Sequence, residues 1–374
     1  MLHLLKQRAT HSGRLERWLG ADLVEHLSRS MLNWYGPPIA VAGVPGSVWA
    51  VRGGDFRGPI SAGQFHTALD FAEQRLKRMW RNQTQRSAWQ MHMGFTSLSD
   101  LIAEATSGKR YTYQYQKVGP TGVVNVTSSL WGLGNLPAAG ANASAAPGGD
   151  APTDATTGAF LFTNPTGPDT QHLVVWYGIG TLANCLLLYD RIFQVNKTMA
   201  STATQAVTGV PTRYQNQIGG TADYIGGNFL FVEVGGTVLA ATAHNWTVCL
   251  YTDQDGVSST LPSLTGNSAA IVRRLDHPVG QWFAPLASGD VGMKALTQMQ
   301  ASASVATGVI NFVIGHPIAW MPLPIVNNMF IMDGINSSFN LQRIFDDAAL
   351  ALLEVNKPAT GATTYSGQFE AVAG

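Results

Sequence analysis

Charge is scarce in this chain of 374 residues: 23 Lys and Arg with 23 Asp and Glu amount to 12%, about half the share of about 25% in an ordinary soluble domain. A membrane span is the first explanation to test. No window approaches the ~18 uninterrupted apolar residues of a spanning helix; the apolar runs at 173–177 and 186–188 are broken by polar residues or glycine. No membrane-spanning helix is expected. Met1 to Leu5 is apolar, but Lys6, Gln7 and Arg8 follow at once, so the stretch is too short for a secretory signal. Cysteine is nearly absent. Cys185 and Cys249 build neither a disulfide framework nor a zinc spacing, and both read as buried free thiols in strands. What is abundant is core material: 45% of residues are apolar and 40 are glycine, which excludes wholesale disorder.

The formal net charge of zero hides an asymmetry. Residues 1–120 hold 15 Lys and Arg against 8 Asp and Glu, a net of +7, and the rest holds 8 against 15, a net of −7. Opposite halves meet different surroundings, or face each other.

The front of the chain reads as helical. Leu15, Trp18, Leu19, Leu23, Leu27 and Met31 recur at helical spacing. Ser61 and Gln64 form a capping-box pattern ahead of Phe65, Leu69, Ala72, Leu76, Met79 and Trp80, which predicts a helix to about residue 82. A third helix is expected over 97–107, with Leu98, Leu101, Ile102 and Ala105 on one side and Gly108 as its stop. The period then changes to two: Tyr111, Tyr113 and Tyr115 alternate with polar residues over 109–117, as in a half-exposed strand.

Residues 137–158, PAAGANASAAPGGDAPTDATTG, contain no large apolar side chain and read as a flexible linker or long loop. Beyond them, runs such as TQHLVVWYGI, NCLLLYDRIFQV, GNFLFVEVG, NWTVCLYT and GVINFVIG are separated by Gly, Asn and Asp and predict an antiparallel sandwich or jelly roll. Leu341, Ile344, Phe345, Ala348 and Leu352 share a helical face, predicting a last helix over 340–355 and a tail after Pro358. The expected class is α+β and β-rich. The expected divisions are a basic helical region 1–136, a linker 137–158, a sandwich-like domain 159–336, and a helix and tail 337–374.

Few motifs suggest chemistry. Gly178 and Gly180 in YGIGTLA imitate a dinucleotide turn, but position 198 is Thr where an acidic residue is needed, so a strand turn or bulge fits better. Asp253-Gln254-Asp255-Gly256 opens like a calcium loop, yet position 264 is Leu rather than Glu; a hairpin turn is the simpler reading. The nine histidines include no zinc pattern, and His277-Pro278 and His316-Pro317 read as strand-end turns. No nucleophile elbow occurs. No cofactor, no metal and no catalytic residue is expected. The densest basic cluster is Arg75, Lys77, Arg78, Arg81 and Arg86, with Trp80 and Trp89 interleaved. It suits non-specific contact with phosphates, a neighbouring subunit, or a solvated helix face.

The segments NCLLLYDRIFQVNKT, NWTVCLYTDQDG, QWFAPLASGDVGMKALTQMQASAS and GVINFVIGHPIAWMPLP resemble parts of structural proteins of tailed bacteriophages. The resemblance spans roughly 159–330. It implies a non-enzymatic virion component present in many copies: a capsid (head) subunit that self-assembles around the genome with other virion proteins, in the host bacterial cytoplasm. It also implies the tailed-phage shell fold as an alternative to the sandwich. A decoration protein or a tail component fits the same resemblance. A carbohydrate- or host-binding sandwich, with Trp246, Trp282, Trp320 and Tyr251 as stacking faces, is the competing binding function, and a hydrolase with a dispersed site the enzymatic one. Scarce charge itself favours surface hidden in a permanent assembly.

Overall fold

A computed structural model describes residues 51–52, 55–56, 95 and 97–374, except 122–123, 168, 215–226, 267–270, 279, 336–340 and 356–360. The chain forms two units, Met1–Arg86 and Ser87–Gly374. In the first, β1 (Val51–Arg52) and β2 (Asp55–Phe56) form a short antiparallel hairpin. The helices expected before residue 83 lie outside the described residues.

The second unit begins with α1 (Leu98–Thr106), which forms where its caps require it. The Ser97 side chain accepts from the Asp100 amide at 3.1 Å, Asp100 occupies the first turn, and Gly108 at φ 94° ends it in the left-handed region that favours glycine. Leu101 packs with Phe95 and Val372. Leu98 and Ile102, expected on the same buried side, are 56% exposed, so the buried stripe is one residue wide.

The other regular elements among the described residues are strands, and every pairing between them is antiparallel. The strands in chain order are β3 (Arg110–Val118), β4 (Ser128–Ser129), β5 (Asn135–Leu136), β6 (Gln171–Gly180), β7 (Asn184–Thr198), β8 (Gln205–Ala206) and β9 (Phe229–Val234). There follow β10 (Asn245–Asp253), β11 (Ser258–Thr260), β12 (Leu264–Thr265), β13 (Met293–Ala301), β14 (Val309–Leu323), β15 (Phe330–Asp333), β16 (Arg343–Ile344), β17 (Leu350–Val355) and β18 (Thr364–Ala373). The central sheet has the order β4-β17-β7-β14-β9, a second β15-β6-β18-β3-β5, and a third β11-β10-β13-β8.

Strands β7 and β14, 15 residues each, are the spine. Leu186 and Leu188 of β7 and Met321 and Leu323 of β14 pack against Tyr113, Trp176 and Phe369 of the second sheet. Farther along, Phe193 and Val195 with Ile310 and Phe312 pack against Trp246, Tyr251 and Met299 of the third. The central sheet thus serves two partners in succession. Leu187, Tyr189, Phe231 and Val313 form a separate cluster with Trp131, Ala159 and Leu275 from connecting segments. A layered, sandwich-like β architecture results, as alternating and continuous apolar runs require.

Four expectations are corrected. Residues 340–355 are not a helix: Leu341 and Asp347 adopt φ of 47° and 58°, which interrupts helical geometry. Leu350–Val355 is instead a strand buried at every position, and an apolar run covered on both faces loses the period of two. The predicted tail is β18, paired to β3 on one side and β6 on the other. Segment 137–158 is a strap rather than a linker. Asp150 and Gln194 exchange two backbone hydrogen bonds of 2.8 and 2.9 Å, Asn196 donates to Ser144 O, and Gly140 to Trp131 O. Lys117, next after the three tyrosines on the inner side of β3, donates from Nζ to the Leu133 and Pro137 carbonyls at 2.7 Å each. The small residues permit close approach: a Cβ at Gly140 would overlap the Trp131 indole. The unit therefore runs from 87 to 374, without a division at 137–158. Finally, His316-Pro317 lies inside β14, next to irregularities in its register with β7, where a proline is tolerated.

The hairpin reading holds. Asp253 Oδ1 accepts from the amides of Asp255 and Val257 at 2.8 Å each, and Gly256 at φ 83° closes the β10–β11 hairpin. Gly178 and Gly180 are not in a bulge: both are paired in register within β6, Gly178 directly opposite Gly367. Tyr115 Oη fills the space beside them, accepting from Trp176 Nε1 at 3.0 Å and donating to Tyr177 O at 3.3 Å. A Cβ at Gly367 would overlap Tyr177 O and Tyr115 Oη. Gly367→Ala is therefore expected to cost about 1–3 kcal/mol by overpacking, read as a lowered urea midpoint at unchanged slope.

Candidate functional site

The basic cluster Arg75, Lys77, Arg78, Arg81 and Arg86 lies outside the described residues. Of the four rings considered as stacking faces, two are core. Trp246 is 1% exposed, stands edge-on to Phe312 and donates to Asp276 Oδ2 at 2.8 Å. Tyr251 is fully buried, with its hydroxyl bonded to the Asp290 carboxylate. Trp282 and Trp320 are half-buried and pack on each other, centroids 5.0 Å apart. Cys249 is buried and Cys185 half-buried, both free; burial pushes their thiols up to about 12 and about 11, which makes them poor nucleophiles.

The main concentration of buried charge is one that sequence reasoning passed over. In β7 the partner of Ile314 is Phe193 and that of Gly315 is Arg191, so Ile192 is an extra residue. At this bulge the neighbours Asp190 and Arg191 are both fully buried. Arg191 Nη2 donates to Glu233 Oε1 at 2.6 Å, Nε to Gln194 at 2.7 Å, and its guanidinium lies 4.8 Å from the Trp131 ring. Glu233 also accepts from Asn311 at 3.1 Å. Asp190 takes Arg213 in a two-pronged pair of 2.8 and 2.7 Å and accepts the Ala349 amide at 2.9 Å. Burial opposes the charge of Arg191 and Glu233, but each outweighs it for the other: the guanidinium becomes more basic than usual and the carboxyl more acidic. The signal available in the sequence was the Asp-Arg dipeptide inside the apolar run LLLYDRIF.

The buried histidines divide into two kinds. His244 has Thr242 O 3.0 Å from Nδ1 and Asp276 Oδ2 2.9 Å from Nε2. Both partners accept, so the imidazolium is the form that satisfies both. Burial works against that charge, and the Asp276 hydrogen bond and charge outweigh it, raising the pKa. His277 is the opposite case: its Nε2 accepts the Val232 amide at 2.9 Å, and burial pushes it down to about 4. His316 stacks on Tyr214 at 4.0 Å with Nδ1 2.8 Å from Asn228 Oδ1, and burial pushes it to about 3. His172 is fully buried edge-on to Phe95; burial, with Arg343 adding, pushes it to about 4. All four are buried, and the ring hydrogen bonds of His244, His277 and His316 tie neighbouring segments together. Among the described residues no three His, Cys, Asp or Glu side chains converge as metal ligands.

Accessible apolar features lie at both edges of the second sheet. At one edge, β15 and the turn before it expose Met329 (66%), Ile331 (63%), Ile325 (54%) and Val326 (48%). At the other, a groove of about 260 Å³ is lined by Thr112, Tyr113, Gln114, Leu136, Pro137 and Leu161.

No protein-family model matches the chain, and no curated protein matches it. Solved structures that it resembles include infectious bursal disease virus, Gx strain, at 10% identity over 71% of this chain and 79% of that chain, with a TM-score of 0.14. Another is the VP2 subviral particle of the same virus, at 10% identity over 71% and 80%, with a TM-score of 0.13. Scores this low transfer neither fold nor function.

Proposed function

We propose that the chain is a non-enzymatic structural subunit of a virion, a head-shell protein of the tailed-phage kind, which assembles in many copies in the bacterial cytoplasm and resides in the particle. The observation that carries this reading is where the few charges are. Of the 23 charged residues after position 120, ten among the described residues are buried: Asp190, Arg191, Lys197, Arg213, Glu233, Asp253, Arg273, Asp276, Glu354 and Glu370. A surface drawn from a sequence already poor in charge is thus poorer still, while apolar side chains stand exposed along open sheet edges. Depletion of charge is the mark of interface cores, and an open apolar edge on a monomer is an aggregation hazard unless neighbours cover it. On this reading the basic segment with Arg75, Lys77, Arg78, Arg81 and Arg86 meets packaged DNA or an adjacent copy, and other virion proteins complete the shell.

The test is assembly state. Purified full-length protein examined by light scattering and negative stain is expected to form closed particles or regular multimers. A monomer that persists at the highest attainable concentration overturns the reading.

A further inference from the structure

We propose that copies join head to tail by continuing one sheet from subunit to subunit, β15 of one copy lying along the uncovered edge of β3 in the next. The inference rests on the assembly reading above and names its surface.

Strand β3 pairs along its whole length with β18, but on its other side β5 covers only Gln116 and Lys117. Among the described residues, the outer edge of 110–115 has no strand beside it. The groove occupies this gap, with Leu136 and Leu161 on its rim, 43% and 77% exposed. A vacant strand edge flanked by apolar side chains is the geometry that accepts an added strand: backbone groups supply affinity, and alternate side chains find the pockets. Strand β15 has the complementary character. It is the opposite edge of the same sheet, bonded on one side to β6, and Met329 and Ile331 are exposed at alternate positions.

Protection of that edge is slight: β15 is short and carries one charge, Asp333, at its end. Natural edge strands are blunted by Lys, Pro or bulges, yet residues 325–332, IVNNMFIM, contain no charge and no proline, and the β15–β6 register runs without a shift. Its four exposed apolar side chains offer on the order of 250 Å², enough for the apolar centre of a standard face of ~800 Å² per partner. The occupant is a second copy because strand and acceptor lie on opposite edges of one sheet. Such a contact is heterologous and propagates into rings or shells where its rotation closes.

Ile331→Lys on the strand and Leu161→Lys on the groove rim test this in the full-length protein. Both positions are exposed, so far-UV circular dichroism and urea midpoints are expected to match the parent. Each variant alone is expected to raise the concentration needed for assembly by at least ~100-fold, since the contact would bury an unpaired charge. Mixed in equal amounts, the two are expected to form dimers, because one intact strand still meets one intact groove. A folded variant that assembles like the parent, or a mixture that stays monomeric, overturns the edge pairing and leaves the assembly reading standing. A monomeric parent overturns the assembly reading itself.

Discussion

Lowering the pH from 7 to 5 is expected to remove on the order of 6 kcal/mol from the folding stability of the β-rich unit. The sources are His172, His277 and His316, held neutral in the fold with pKa values of about 4, about 4 and about 3. In the unfolded chain each titrates near 6.5. A base whose folded pKa is lowered costs nothing above its unfolded value; below pH 6.5 the unfolded state takes up protons that the folded state refuses. At pH 5 this amounts to about 2 kcal/mol for each histidine, and the loss keeps growing until the folded groups protonate. A domain's whole stability is about 5–15 kcal/mol. His244 has the reverse sign: its pKa is raised by Asp276, so its contribution is fully present below 6.5 and fades as pH rises through the folded value. Glu233, held acidic by Arg191, adds its own loss below about pH 4.5. Urea unfolding followed by tryptophan fluorescence between pH 8 and 4.5 checks the profile. A midpoint unchanged from pH 7 to 5 refutes it, and His316→Gln is expected to flatten the slope.

The second large effect is expected from breaking the Arg191–Glu233 pair. Glu233→Gln leaves a guanidinium fully buried with its partner charge gone, and a single break of a buried pair costs about 3–5 kcal/mol. Arg191→Met is expected to cost a similar amount by stranding the carboxylate. The double variant Arg191→Met with Glu233→Leu restores neutrality, so its loss is expected to fall well below the sum of the singles, although Gln194 and Asn311 are then short of a partner. A double-mutant cycle on denaturant midpoints gives the coupling directly. Additive losses within about 0.5 kcal/mol would mean that the two charges do not act as a pair.

How much of this could be read from residues alone follows from which interactions are local. The Ser97 cap with Gly108, the alternation of Tyr111, Tyr113 and Tyr115, and the turn at Asp253 to Gly256 are set within a few positions, and all three appear in the structure. Segment 340–355 was misread because apolar residues covered on both faces fit a helical spacing as well as a strand. For 137–158 the residues left a linker and a long loop equally open, because small side chains suit close packing as well as disorder. The charge network was hidden for a different reason: Asp190, Arg213, Glu233 and Asn311 come from four separated stretches and meet only after the sheets form. The fate of Arg75, Lys77, Arg78, Arg81 and Arg86 rests with the proposed function alone.

One pairing has a consequence for synthesis. Arg110 and Glu370 bond across β3 and β18 although they stand 260 positions apart, and β18 is the strand that connects β3 to β6. Once a ribosome has passed residue 180, β3 and β6 are both made, but the strand that lies between them is still to come. The sheet that carries both proposed contact edges therefore forms only after residue 373 has emerged.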